Sequence, residues 1–90
     1  MYFDITDAHY IKNYEIELIF EDGSKGISDL SEYAESNTIF TKFMNMEYFK
    51  NYKIEYGTLV WGNGELDIAP ETLYENATKK PIKYLSHNRV

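Results

Sequence analysis

The run Tyr14-Glu15-Ile16-Glu17-Leu18-Ile19-Phe20 limits the possible folds more than any other stretch, because Tyr14, Ile16, Leu18 and Phe20 alternate with Glu15 and Glu17. Side chains of a strand point to opposite faces in turn, so a period of two describes a strand with one buried face and one wet face. Such a strand needs neighbours. Glu21-Asp22-Gly23-Ser24 follows it, with an Asp-Gly pair that tolerates positive φ in a tight hairpin, and Lys25 to Leu30 continues as the next strand. Residues 2–10 read as a preceding strand, joined through a polar turn around Lys12 and Asn13. Three consecutive strands make an antiparallel meander.

From Ser31 the pattern changes. Ser31 is available to cap one or two helical turns over residues 31–36. Ile39, Phe40, Phe43, Met44, Tyr48 and Phe49 recur at mixed spacings of three to five, which suits short helices or 3₁₀ turns packed on a sheet. The Tyr56-Gly57 junction lies between two β-rich runs and predicts a second hairpin, Tyr52 to Tyr56 pairing with Thr58 to Trp61. A last short helix is expected over residues 69–78, with Pro70 suited to its first position and Glu71 to the positive end of its dipole. Ala69 is a poor cap for it. The expected class is α+β: a small antiparallel sheet, built from a three-stranded meander plus a second hairpin, packed with short helices. Ninety residues leave room for one such domain, placed at 1–78, followed by a basic tail at 79–90 that is expected to be flexible.

Fifteen aromatic residues supply large side chains for a core that has no cysteine to staple it. The lack of cysteine removes disulfides, thiolate metal sites and a thiol nucleophile, and fits a reducing compartment. The N-terminal region has no basic segment and carries Asp4 and Asp7, and no apolar run approaches the ~20 residues that span a bilayer. A cytoplasmic location with no membrane association is expected. The charge is uneven: residues 1–78 hold all fifteen acids and five bases, and residues 79–90 hold four bases and no acid. The acidic body repels phosphate backbones and suits a small basic protein as partner.

The segment from Gly62 to Asp67 has the look of a ligand loop. A phosphate cradle needs N–H groups backed by lysine or a hydroxyl, whereas Glu65 and Asp67 would repel the anion. Asn63, Glu65 and Asp67 fall at the first, third and fifth positions of an oxygen-ligand calcium loop, but its sixth position is Ile68 and its twelfth is Tyr74. The reading preferred here is a turn in which Gly62, Asn63 and Gly64 reverse the chain so that Trp61 and Leu73 share an interior. Only His9 and His87 titrate near neutrality, and neither has an evident catalytic partner. No catalytic residue, metal ligand or cofactor is assigned, and no enzyme is expected. Asp22 and Asp29 are expected to serve as turn and loop hydrogen-bonders.

Two motifs carry a resemblance. Leu18, Phe20, Asp22 and Gly23 form an L-x-F-x-D-G hairpin leading to Asp29-Leu30, and Val60, Trp61, Asn63, Gly64, Asp67, Pro70, Leu73 and Tyr74 fit a V-W-x-N-G-x-D-x-x-P-x-x-L-Y segment. Over roughly residues 4–77 the chain resembles a small bacterial family, domain of unknown function 2442. The resemblance implies a compact α+β domain without an established activity. Some members are fused to a helix-turn-helix, and others are encoded beside another small protein in a toxin and antitoxin arrangement. Here Ala69 replaces the polar residue expected before Pro70, and with the sequence ending at Val90 no helix-turn-helix is expected to follow.

The functional expectation is a non-enzymatic protein-binding module, antitoxin-like or accessory in a two-gene pair, holding its partner through a sheet edge or a tyrosine-rich acidic surface. Candidate contacts are Trp61, Asn63, Glu65, Asp67, Tyr48, Tyr52 and Tyr56. Tyrosine suits this role because it joins apolar area to a polar tip. A sheet edge also offers a route to a homo-oligomer. The alternative is a nucleic-acid-binding or transcription-regulating accessory protein that uses Lys79, Lys80, Lys83 and Arg89. Stacking platforms come with a basic groove, and the tyrosines here are interleaved with Glu47 and Glu55, so nucleic acid is not the expected partner.

Overall fold

The structure, a computed structural model, describes residues 3–79. Two three-stranded antiparallel sheets and short helices form an α+β fold. The first sheet is the meander of β1 (Ile5–Lys12), β2 (Glu15–Phe20) and β3 (Lys25–Asp29). Its first strand begins three residues later and ends two residues later than the sequence suggested, running up to the turn at Asn13, whose φ of 49° lies in the left-handed region that asparagine tolerates. The second sheet contains β4 (Lys53–Glu55), β5 (Thr58–Trp61) and β6 (Leu66–Ile68), again in sequential order. β4 is shorter than expected, since Tyr52 and Tyr56 fall outside the ladder. β6 was not expected at all. It makes the glycine loop the connection of a third hairpin rather than a lead-in to the last helix.

Helices bridge the two sheets. α1 (Ser31–Ala34) starts without the Ser31 cap foreseen from sequence: Leu30 occupies the cap position, and the Asp29 carboxylate accepts from the Ser31 N–H at 2.9 Å. A 3₁₀ helix (Ile39–Met44) and α2 (Met46–Lys50) follow. Each is capped by a side chain, Thr38 accepting from the Phe40 N–H and Asn45 from those of Glu47 and Tyr48. α3 (Pro70–Thr78) begins with proline in its first turn and with Ala69 making no side-chain cap, as its sequence indicated.

Strand register sorts the meander into two faces. Ile16, Leu18 and Phe20 point inward and are buried, with Tyr10 and Ala8 beside them on β1 and Ser28 and Gly26 on β3. The outer face holds two cross-strand rows, Asp7–Ile19–Lys25 and His9–Glu17–Ile27, and ends at Lys12–Glu15–Asp29 after a bulge at Ile11. α3 packs on the inner face by an unusually close approach. A Cβ on Gly26 would lie 2.1 Å from the carbonyl oxygen of Ala77, so only glycine admits the helix at this depth.

Aromatic side chains fill the space between the sheets and the helices. Phe43 and Phe49 pack on each other at 5.0 Å and on Trp61 at 4.6 and 6.1 Å between ring centroids, and Tyr14 meets Phe49 at 5.0 Å. The Trp61 indole N–H donates to the Phe49 carbonyl at 2.8 Å, which satisfies the one polar group that this ring brings into the interior. Leu59, Leu66, Ile68, Leu73 and Ala77 complete the same cluster.

Candidate functional site

Two sets of side chains stand out where turns meet helices. The first fastens α3 to the meander. Asp22 accepts from the Ser24 N–H at 2.8 Å and from the Tyr74 hydroxyl at 2.9 Å, and Ser24 Oγ lies 3.1 Å from the same hydroxyl. Partial burial pushes the Asp22 carboxyl up, but the Ser24 N–H and the Tyr74 hydroxyl outweigh that effect and hold it below its usual value. Two residues further on, Asn76 Oδ1 accepts from Ser28 Oγ at 2.8 Å and from the Asp29 N–H at 3.2 Å. Asp22 and Asp29 are thus turn and loop hydrogen-bonders, as their positions in the sequence implied.

The second set surrounds the β5–β6 connection, residues 62–65. Gly62, Asn63 and Gly64 have φ of 64°, 59° and 91°. This turn favours glycine for its backbone angle, and a Cβ on Gly62 would press on Glu65 Oε1 and Tyr48 Oη, each 2.7 Å away. Glu65 faces the helices: its carboxylate pairs with Lys42 and accepts from the Tyr48 hydroxyl at 3.0 Å. Lys42 and Tyr48 hold the Glu65 carboxyl below its ordinary range, and burial, with Glu65 beside it, pushes the Tyr48 hydroxyl up. Asp67 lies apart, exposed on β6 opposite Val60. Asn63 lines a depression of about 110 Å³ with Asn51, Lys53, Glu55, Val60 and Gly62. Asn63, Glu65 and Asp67 therefore do not converge, and among the described residues no three His, Asp or Glu side chains are grouped to hold a metal ion.

Every residue of the two sequence motifs now has a place, from the Asp22–Gly23 turn to the Tyr74 hydroxyl that returns to it. A family model described as Protein of unknown function (DUF2442) matches residues 5–79. The chain belongs to that family. No curated protein and no solved structure matches it. In this DUF2442 domain the motif positions secure architecture: Trp61, Leu18, Phe20, Leu30 and Leu73 are core, and Asp22 and Tyr74 clasp the last helix.

The remaining candidates divide by exposure. Trp61, named from sequence as a contact residue, is 1% exposed and belongs to the interior, because its indole N–H finds its acceptor there. Tyr52 is half-buried; burial pushes its hydroxyl up, partly offset by a hydrogen bond with the Tyr10 backbone, and Asp7 adds to the rise. Tyr48 is committed to Glu65. Tyr56 differs from all of these. It is 100% exposed, and it sits with Gly57 at the two central positions of the β4–β5 turn, with φ of 53° and 79°. Both angles are positive, the pattern of a type I′ hairpin, where Asn, Asp or Gly is the usual first residue. The Asp4 carboxylate occupies the space a Gly57 side chain would take, within 2.5–2.9 Å of that Cβ position, and Glu55 is exposed next to Tyr56. Lys79 closes α3 in a left-handed conformation with its N–H on the Glu75 carbonyl at 2.9 Å. Lys80, Lys83, Arg89 and His87 lie outside the described residues.

Sequence reasoning missed Asn76, Ser24, Lys42 and Asp4. Asn76 meets Ser28 across 48 positions, and Lys42 meets Glu65 across 23. No local spacing announces such pairs. The Tyr-Gly dipeptide was the one available signal for Tyr56, since a two-residue turn of this type imposes positive φ on whatever precedes the glycine.

Proposed function

We propose that this DUF2442 domain is a non-enzymatic, cytoplasmic protein-binding module, antitoxin-like or accessory in a two-gene pair, that holds a small basic protein. The supporting observation is the β4–β5 tip. A large aromatic side chain kept wholly in solvent, on a backbone angle that costs roughly 1–2 kcal/mol for a residue with a side chain, is poor economy for a fold that gains nothing from it. It is good placement for an interface anchor: tyrosine is enriched at binding hot spots, and acids beside it attract a cation-rich partner. Glu55 and Asp4 supply those acids. All fifteen acids of the chain lie among the described residues and each is at least partly exposed, so the field around the tip favours the same partner sign.

Tagged protein recovered from its native cell tests this reading. A specific basic protein should co-purify at low salt and be released as salt rises, with Tyr56→Ala and Glu55→Lys each reducing recovery about tenfold, ~1.4 kcal/mol. Recovery of no specific partner, or a partner indifferent to salt and to both substitutions, would refute it.

A further inference from the structure

The outer face of the meander is covered by no described element, and its charges stand in a particular order. β1 sets Asp7 at one end of the face and Lys12 at the other, while β3 sets Lys25 level with Asp7 and Asp29 level with Lys12. The four corners therefore alternate in sign. Neither lysine makes an ion pair with a described residue. Between the corners lie apolar side chains that water still reaches: Ile27 on β3 is 44% exposed, Ile11 in the β1 bulge is 45% exposed, and Ile19 on β2 is partly exposed. β2 adds Glu15 and Glu17, the latter in a cross-strand row with His9 and Ile27.

Alternating corners are self-complementary. In a two-fold contact, residue i opposes residue j and j opposes i, so each match is made twice. A two-fold axis lying across the strands along the His9–Glu17–Ile27 row exchanges the two ends of every strand. Asp7 then opposes Lys12 of the second copy, and Lys25 opposes its Asp29. Ile27 and His9 meet their own copies, Ile19 meets Glu15, and one like-charged contact remains, Glu17 against Glu17. An axis along β2 would also match the corners, but it sets Glu15 as well as Glu17 against itself. A uniformly basic partner would meet a lysine at two of the four corners, so the order of charges favours a second copy of the chain on this face. Three strands about 4.8 Å apart and five residues at about 3.3 Å give a face of about 14 by 17 Å. That is well below the ~800 Å² per partner of a standard interface, which makes the association weak and reversible.

We propose that two copies of this chain associate through the outer faces of their meanders, about a two-fold axis that crosses the strands at Glu17, with Asp7 facing Lys12 and Lys25 facing Asp29 between copies. The contact does not use the β4–β5 tip and holds whether or not another protein binds there.

Sedimentation equilibrium of the full chain at low salt should show monomer and dimer in exchange, with a dissociation constant on the order of 100 μM. In an isotopically labelled sample, dilution should move the amide signals of Glu17, Ile19 and Ile27 and leave those of β6 in place. This second measurement needs no substitution. Lys12→Glu should weaken the dimer about tenfold, since the changed contact occurs twice, and Asp7→Lys added to it should restore the association. Glu17→Gln should strengthen it about threefold by removing the like-charged contact. A chain that stays monomeric at millimolar concentration, or dilution shifts that avoid this face, would overturn the proposal. So would a double variant no better than Lys12→Glu alone, or a dimer weakened by Glu17→Gln. Shifts on this face that come only with an added basic peptide would make the occupant a basic partner, and the proposal would fall.

Discussion

The β2–β3 and β4–β5 turns are both tight hairpin connections closed by a glycine, yet they sit in opposite surroundings. Asp22 and Gly23 are bound from outside by Tyr74 and from within by Ser24, so the turn becomes the socket for the last helix. Tyr56 and Gly57 are bound mainly through the backbone, with the Gly57 carbonyl accepting from the Ile5 N–H at 2.8 Å, and the Tyr56 side chain buries nothing. The contrast separates two uses of the same local geometry. One turn holds the fold together, and the other holds a side chain away from it.

Substitutions should fall on either side of that division, and the largest effects belong to the side that builds the fold. Trp61→Ala removes the centre of the aromatic cluster and leaves the Phe49 carbonyl without its donor; a loss of about 3–5 kcal/mol is expected in denaturant unfolding. A protein of this size has little more than that to lose. Gly26→Val drives a side chain into the Ala77 backbone and should cost about 1–3 kcal/mol or more. Hydrogen exchange should then quicken in α3 and leave the β4–β5 amides unchanged; uniform acceleration would erase the distinction between the two regions.

A smaller effect is expected from Tyr74→Phe, about 1 kcal/mol for the lost hydroxyl contacts. It should also change the acid limb of stability. The Ser24 N–H and the Tyr74 hydroxyl hold the Asp22 carboxyl below the ordinary aspartate range in the folded chain, so its contribution is present above that range and fades as pH falls through the lowered folded value. With the tyrosine hydroxyl gone, the folded value should rise toward the ordinary aspartate range and the fade should begin at higher pH. An NMR titration of the Asp22 carboxyl that shows no rise would remove Tyr74 from that account.

Much of this architecture was legible locally. The period of two in residues 14–20, the Asp-Gly pair and the Tyr-Gly junction fixed four strands, and the mixed aromatic spacing fixed the short helices. β6 escaped because three residues carry only Leu66 and Ile68 as alternating apolar positions, too few to distinguish a strand from a loop, and because pairing with β5 is what makes the strand. The glycine loop was correctly read as backbone geometry, but what surrounds it could not be: Glu65 turns toward Lys42 and Tyr48 only after the chain has folded. Trp61 is read from sequence both as sharing an interior with Leu73 and as a contact residue, and only the first of these holds. Its motif marks it out, and only the packing of Phe43 and Phe49 shows that it is marked as core.

The smallest change in stability is the most informative one. Tyr56→Asn keeps a residue that tolerates left-handed angles and removes a side chain that is wholly exposed. Its thermal midpoint measures directly whether the β4–β5 tip contributes to the fold: an unchanged or raised midpoint, by up to about 1 kcal/mol of added stability, is the expected result. A midpoint several degrees lower would show that Tyr56 supports the structure after all, and the assignment of this turn to recognition would fail.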